Sequence, residues 1–171
     1  NPVSCAAALA VLDVIEEENE LAIVSEHVDG ESLAALLRQA TSSKSPMLPG
    51  AAVAIARDAT DALIATRRHF AEQPGAPVPH GGLVSDGLIV AAFGDAVLTD
   101  PGVLASLGDA ALSTSALPYR APEQLAASPI RDERSDVFSV GVLLWEMLAN
   151  RPLFRSSASA TAEATAELRQ K

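Results

Sequence analysis

The chain has 171 residues, enough for one domain with a sizeable core. Its net charge of −10 argues against nucleic acid or an anionic membrane surface as a partner. The lone Cys5 excludes an internal disulfide, argues against a Cys-based metal site and suits a reducing cytoplasm, while the 4% aromatic content leaves Ala, Val and Leu to fill the interior.

The N-terminus lacks the basic n-region of a signal peptide, and a chain that begins at Asn1 without Met fits a piece of a longer protein. Val11–Ile15 and Leu21–Ser25 are short runs rich in β-branched residues. Glu16–Glu20 separates them as a polar, solvated turn, so the pattern predicts a β-hairpin. Asp29-Gly30 breaks the second strand. Ser32–Gln39 then reads as a short helix with Ser32 as N-cap and Leu33, Leu36 and Leu37 on one face. A Ser/Pro loop covers Thr41–Pro49, followed by a long helix from about Gly50 to Phe70 whose Ile55, Ala59, Ala62, Leu63, Thr66 and Phe70 recur at helical spacing. Arg67-Arg68-His69 reads as the exposed end of that helix, where cations suit the dipole.

Gln73–Pro79, with its prolines and glycine, is a loop. Leu88–Ala92 and Ala96–Thr99 are two further strand candidates, joined by a turn at Gly94-Asp95. Asp100-Pro101-Gly102 is another turn signal, and an irregular stretch runs on to about Ala121. The densest apolar run is Ser135–Asn150, SDVFSVGVLLWEMLAN. It reads as a helix with Ser135 as N-cap and Asp136 in the first turn, ended by Asn150 and Pro152. Its apolar residues leave almost no polar face, so the pattern predicts a helix buried all round. It is too short for a bilayer and contains Ser139 and Glu146, which excludes a membrane span. Ser156–Lys171 reads either as a weak amphipathic helix or as a linker.

Several of these pieces, in order, resemble the eukaryotic-type protein kinase domain, in particular the Ser/Thr kinases of bacteria. ELAIVSEHVDGESL at 20–33 is similar to the fifth strand, hinge and start of the next helix, with Ser25 at the gatekeeper and Glu26–Val28 at the adenine-contacting hinge. HGGLVSDGLIV at 80–90 resembles the catalytic loop, H-R-D-x-x-x-x-N. Asp100-Pro101-Gly102 stands where D-F-G would stand, Ala121-Pro122-Glu123 is the A-P-E motif, and Arg134–Gly141 resembles the start of the central helix. Asn150–Phe154 resembles the turn after it. The resemblance covers about residues 1–155. It implies an α+β, protein-kinase-like fold: a mostly helical C-lobe over 29–155, an N-lobe remnant of hairpin and hinge over 1–28, and a helix or linker over 156–171. It places the family's Gly-rich loop, third-strand Lys and αC Glu before Asn1, and its last C-lobe helices after Lys171.

The resemblance also implies lost chemistry. Phosphoryl transfer needs a carboxylate to orient the acceptor hydroxyl, side chains on the metal ions and a Lys on the phosphates. Here the catalytic Asp position is Gly82, the following basic position is Val84 and the metal-binding Asn position is Gly87. Asp86 is out of register, and only Asp100 keeps a metal-binding side chain, which alone holds Mg²⁺ poorly and reads equally well as a β-turn residue. The implied protein is a degenerate pseudokinase that works as a regulatory or protein-binding module in the cytoplasm, its partner unnamed. No cofactor is expected. ATP and Mg²⁺ belong to the alternative, an active Ser/Thr kinase, with Glu26 and Val28 as weak hinge contacts. A third alternative is an α+β scaffold unrelated to kinases.

The remaining motif residues are structural in this reading. His80 packs rather than reacts, and Asp136 accepts hydrogen bonds from catalytic-loop backbone. Glu123 lacks an obvious Arg partner. His80-Gly81-Gly82 also resembles an esterase oxyanion segment, but no G-x-S-x-G elbow accompanies it.

Overall fold

A computed structural model of the chain describes residues 11–17, 20–71, 79–99, 114–126 and 132–154. Strands β1 (Val11–Glu17) and β2 (Glu20–Ser25) form an antiparallel hairpin. The strands run further than the sequence pattern predicts. Glu16 pairs with Leu21 and Glu17 with Glu20, so Glu16, Glu17 and Glu20 lie in the ladder rather than in a turn.

Residues 26–29 lead from β2 into β3 (Gly30–Ser32), a strand the sequence reading treats as a break. β3 pairs antiparallel with β4 (Leu88–Ala91), which pairs with β5 (Ala96–Leu98), giving the order β3-β4-β5. Gly30 is required by proximity. A Cβ there would stand 2.8 Å from Ala91 Cα, closer than real contacts allow. The β4–β5 turn falls where the sequence places it, with Gly94 at φ +94°, a conformation that costs glycine nothing.

Helix α1 (Leu33–Ser42) starts on its expected cap: Ser32 Oγ accepts the Ala35 N–H at 3.2 Å. It continues three residues past Gln39. Hydroxyls explain the extension. Thr41 Oγ1 donates to Leu37 O at 2.9 Å, and Ser43 Oγ donates to Gln39 O at 2.7 Å, satisfying carbonyls at the helix end. The connecting loop is therefore shorter than Thr41–Pro49.

Helix α2 (Pro49–Ala71) begins at the proline itself, where a missing N–H is harmless. Ala52, Ile55, Ala56, Ala59 and Ala62 make its buried face. Such small side chains let α3 (Glu133–Ala149) and β5 approach closely. Asp58 is buried in the same face, where its Oδ2 accepts the Ala96 N–H at 3.2 Å and Arg57 covers Oδ1 at 2.9 Å. An apolar pattern could not reveal this link between α2 and β5.

The core gathers Leu33, Ile55, Leu83, Leu88, Leu98, Leu143 and Met147 from α1, α2, the segment before β4, β4, β5 and α3. α3 corrects two expectations. Asp132, not Ser135, is its N-cap, accepting the Arg134 N–H at 2.9 Å; Ser135 lies inside the helix. Nor is the helix buried all round: Val137 is 65% and Leu148 49% exposed. Its inward face includes Ser135, Asp136, Ser139 and Glu146, each bonded to a neighbouring segment. Asn150 ends the helix in the left-handed conformation, φ 50°.

Candidate functional site

Residues 80–87 form a loop that enters a 3-10 turn at Ser85–Gly87 and leads into β4. With Gly81, Gly82 and Gly87 the loop has few side chains of its own, and its position is imposed by neighbours. Asp136, on the first turn of α3, accepts the His80 N–H at 2.9 Å on Oδ2 and the Gly81 N–H at 2.8 Å on Oδ1. Burial pushes the Asp136 carboxyl above its ordinary value, and the hydrogen bonds from Gly81 and His80 oppose that shift. Gly81 has φ +71°, so the loop turns sharply just where Asp136 holds it.

The His80 ring is buried, with Nε2 3.1 Å from Thr99 O. A carbonyl can only accept, so Nε2 donates to it, and Nδ1 has no hydrogen-bond partner among the described residues. Gly87 is tied at both ends: its N–H donates to Val84 O at 3.0 Å, and its carbonyl accepts Thr99 N–H at 3.0 Å and Thr99 Oγ1 at 3.1 Å. Gly82 is buried, Val84 half-buried and Asp86 exposed.

The segment 121–123 meets the loop from the other side. Ala121 is buried, Pro122 exposed and Glu123 half-buried. Glu123 Oε1 accepts the Ser135 hydroxyl at 3.1 Å, so its partner is a serine on α3. The sequence reading missed Gln124. Its Oε1 accepts the Ala121 N–H at 2.8 Å and its Nε2 donates to Gly81 O at 3.1 Å, bridging the two segments. The only signal was a polar residue after three motif positions.

A second network lies beside Ser85. Tyr119 Oη is 3.0 Å from Ser85 Oγ and donates to Glu146 Oε2 at 3.0 Å. Glu146 Oε1 accepts the Leu153 N–H at 3.2 Å. Burial, with Glu146 nearby, pushes the Tyr119 hydroxyl up to about 12, with the Ser85 hydrogen bond opposing. Glu146 was visible in the sequence as an acid deep inside an apolar helix, and an acid so placed needs a buried partner.

Glu26 is exposed and Val28 half-buried in the segment joining β2 to β3. Asp100, with Asp100-Pro101-Gly102 as a whole, lies outside the described residues. No group of three or more His, Cys, Asp or Glu side chains that could hold a metal ion occurs among the described residues. No described helix is long and apolar enough to cross a membrane.

The model of the protein kinase domain matches residues 2–170. This chain belongs to the protein kinase domain family. Its relatives include the serine/threonine-protein kinase PknL of Mycobacterium tuberculosis, 29% identical over 153 residues, covering 86% of this chain and 35% of PknL. PknB of the same species is 31% identical over 159 residues, covering 86% of this chain and 24% of PknB. PknB of Mycobacterium leprae is 31% identical over 156 residues, 85% of this chain and 23% of that protein. The kinase-domain chain thus spans about a third or less of the length of these relatives. Membership sets aside the reading of an α+β scaffold unrelated to kinases. The α+β, helix-dominated, kinase-like fold stands.

Proposed function

We propose that this kinase-domain chain is catalytically inactive and works as a regulatory or protein-binding module. One observation carries the reading: Gly82, Val84 and Gly87 occupy the loop positions where the family's pattern has the catalytic Asp, the basic residue and the metal-binding Asn. Hydrogen has no lone pair to take a proton from an acceptor hydroxyl and none to bind Mg²⁺. Losing the base and the electrostatic groups together costs several orders of magnitude in rate. The donor set of the loop does not fit a nucleotide-bound Mg²⁺, because the position that should offer a ligand, Gly87, ends at Cα. No cofactor is therefore assigned. Glu26 and Val28 are at most a hinge edge for adenine, without a phosphate cradle.

The proposed organisation is an N-lobe remnant over 1–28, a kinase-like C-lobe over 29–155 and a helix or linker over 156–171. We place the chain in the cytoplasm, on the strength of its lone Cys5.

Incubation with Mg²⁺ and radiolabelled ATP, with a generic protein acceptor and without, tests the reading. No transfer above that of Asp100→Ala is expected. The second reading, an active Ser/Thr kinase, is favoured by the names of the relatives PknL and PknB. Transfer clearly above the Asp100→Ala background would establish it.

A further inference from the structure

The β4–β5 turn carries Phe93, which is 97% exposed, the most exposed large apolar side chain among the described residues. The turn that presents it is stiff. The Gly94 N–H donates to Ala91 O at 2.8 Å, the Ala91 N–H to Asp95 O at 2.8 Å and the Ala92 N–H to Asp29 O at 3.0 Å. Ala92 and Gly94, on either side of Phe93, are small and exposed, so neither shields the ring. A ring held out on a fixed backbone gives up little conformational freedom when a partner covers it.

Acids surround the turn. Asp95 follows Gly94, Asp29 supplies the carbonyl that Ala92 binds, and Glu31 pairs with Val90 across the sheet; all three are exposed. Neither residues 26–37 nor residues 80–99 include a Lys or Arg. Arg57 of α2 lies in the field of Asp58 first and of Asp61 and Asp95 after it, and Asp58 already holds it through Nε at 3.2 Å and Nη2 at 2.9 Å. The collar around the ring is therefore negative.

We propose that Phe93 anchors a docking surface for a basic amphipathic helix of a partner protein, with Asp29, Glu31 and Asp95 meeting its lysines or arginines. A single projecting ring needs a hole, and side chains at i, i+3, i+4 and i+7 on one helix face make one. The collar repels an acidic helix and favours a basic one, so charge complementarity selects the class of partner. The surface rests on the reading of the chain as a protein-binding module and names where and what it binds. It lies at the far end of β4 from positions 82, 84 and 87.

The test uses the 171-residue chain and two fluorescein-labelled helical peptides with the same leucine face, one carrying lysines elsewhere and the other glutamates. Fluorescence anisotropy should show the lysine peptide binding, more weakly as salt rises. Phe93→Ala should weaken it about five- to ten-fold at low and high salt alike. Asp29→Asn with Glu31→Gln should weaken it about two- to five-fold at low salt and little at high salt. Val137→Ala, an exposed apolar site on α3, should leave binding unchanged. Every substituted side chain is exposed, so the variants should fold, as circular dichroism will check. Adherence of the lysine peptide to a chain of net charge −10 by charge alone would vanish at high salt and ignore Phe93→Ala, and that result overturns the proposal. So does equal or tighter binding of the glutamate peptide, or no binding of either. Radiolabel transfer from Mg²⁺-ATP, run in parallel, separates the two claims: transfer by wild type and Phe93→Ala alike refutes inactivity and leaves the docking surface standing, while lost peptide binding without transfer removes the surface and leaves inactivity standing.

Discussion

Replacing Asp136 by alanine should cost the fold far more than its place in a first helical turn implies. An exposed first-turn aspartate contributes about 0.3–1 kcal/mol through the helix dipole. Asp136 is 5% exposed and holds the backbone N–H groups of both His80 and Gly81. Alanine strands both donors, at about 1–3 kcal/mol each, so the expected loss is about 2–6 kcal/mol. Asp136→Asn keeps one acceptor but turns an amide N–H toward the second donor, and should fall between. Urea denaturation followed by Trp145 fluorescence measures the loss, since the chain has one tryptophan and it lies on α3. A loss below about 1 kcal/mol would refute the reasoning.

The same residue gives a pH signature. Burial raises the Asp136 carboxyl above its ordinary value of 3.8. The folded chain therefore keeps this proton to higher pH than the unfolded chain does. From 3.8 up to the folded value, stability from this group falls as pH rises, and Asp136→Asn should remove that slope. Holding the charge thus costs stability, yet deleting the side chain costs more. Burying a charge and breaking the network it supports are different perturbations.

Tyr119 is the single tyrosine, so ultraviolet titration should show tyrosinate appearing near the raised value of about 12 in the folded chain, with stability falling between pH 10.0 and that value. A midpoint at the ordinary value would break the Tyr119–Glu146 link. Gln124→Ala, which unfastens Gly81 O and Ala121 N, should destabilise by about 1–3 kcal/mol in the same denaturation assay, and a neutral outcome would remove the bridge. Gly30→Ala should cost about 1–3 kcal/mol by overpacking against Ala91, readable as a lower midpoint. ATP should not raise the melting temperature, because the isolated chain offers at most a hinge contact; a clear rise would contradict that.

Much of this architecture is legible in the residues. The β4–β5 hairpin announces itself through Gly94, α1 through Ser32, and α2 through an alanine-rich face at helical spacing. β3 was illegible because three residues cannot show alternation, and Asp29-Gly30 looks like a turn when Gly30 is really answering a close approach by Ala91. α3 misled in a more instructive way. Its apolar residues outnumber its polar ones, so composition predicts complete burial, yet Val137 and Leu148 face outward while Ser135, Asp136, Ser139 and Glu146 face in. Hydropathy ranks a residue by its cost in isolation, and these four are not isolated. Each one serves a segment far away in sequence, and no local pattern encodes that partner.

The site shows why the loop can keep its shape with glycine where the family's pattern has functional side chains. Gly81 is held through its N–H by Asp136 and through its carbonyl by Gln124; Gly87 is held through its carbonyl by Thr99. Every one of these anchors grips backbone. The side chains at 84 and 87 take no part in these anchors, so the groups that chemistry would need there can be lost without releasing the loop. The converse follows for restoration. A Cβ at Gly87 would meet Thr99 Oγ1 at 3.4 Å and Val84 Cγ2 at 3.7 Å, ordinary contacts, so Gly87→Asn should fold with near-normal stability. Gly81 differs, because its φ of +71° strains any side chain added there. Gly82→Asp together with Gly87→Asn is then a fair attempt at rescue. It should still transfer no label from Mg²⁺-ATP, since Val84 still stands where the family's pattern has its basic residue. Transfer by that double variant would mean that two side chains were all the chain lacked, and that the reading of a wholly abandoned site is wrong.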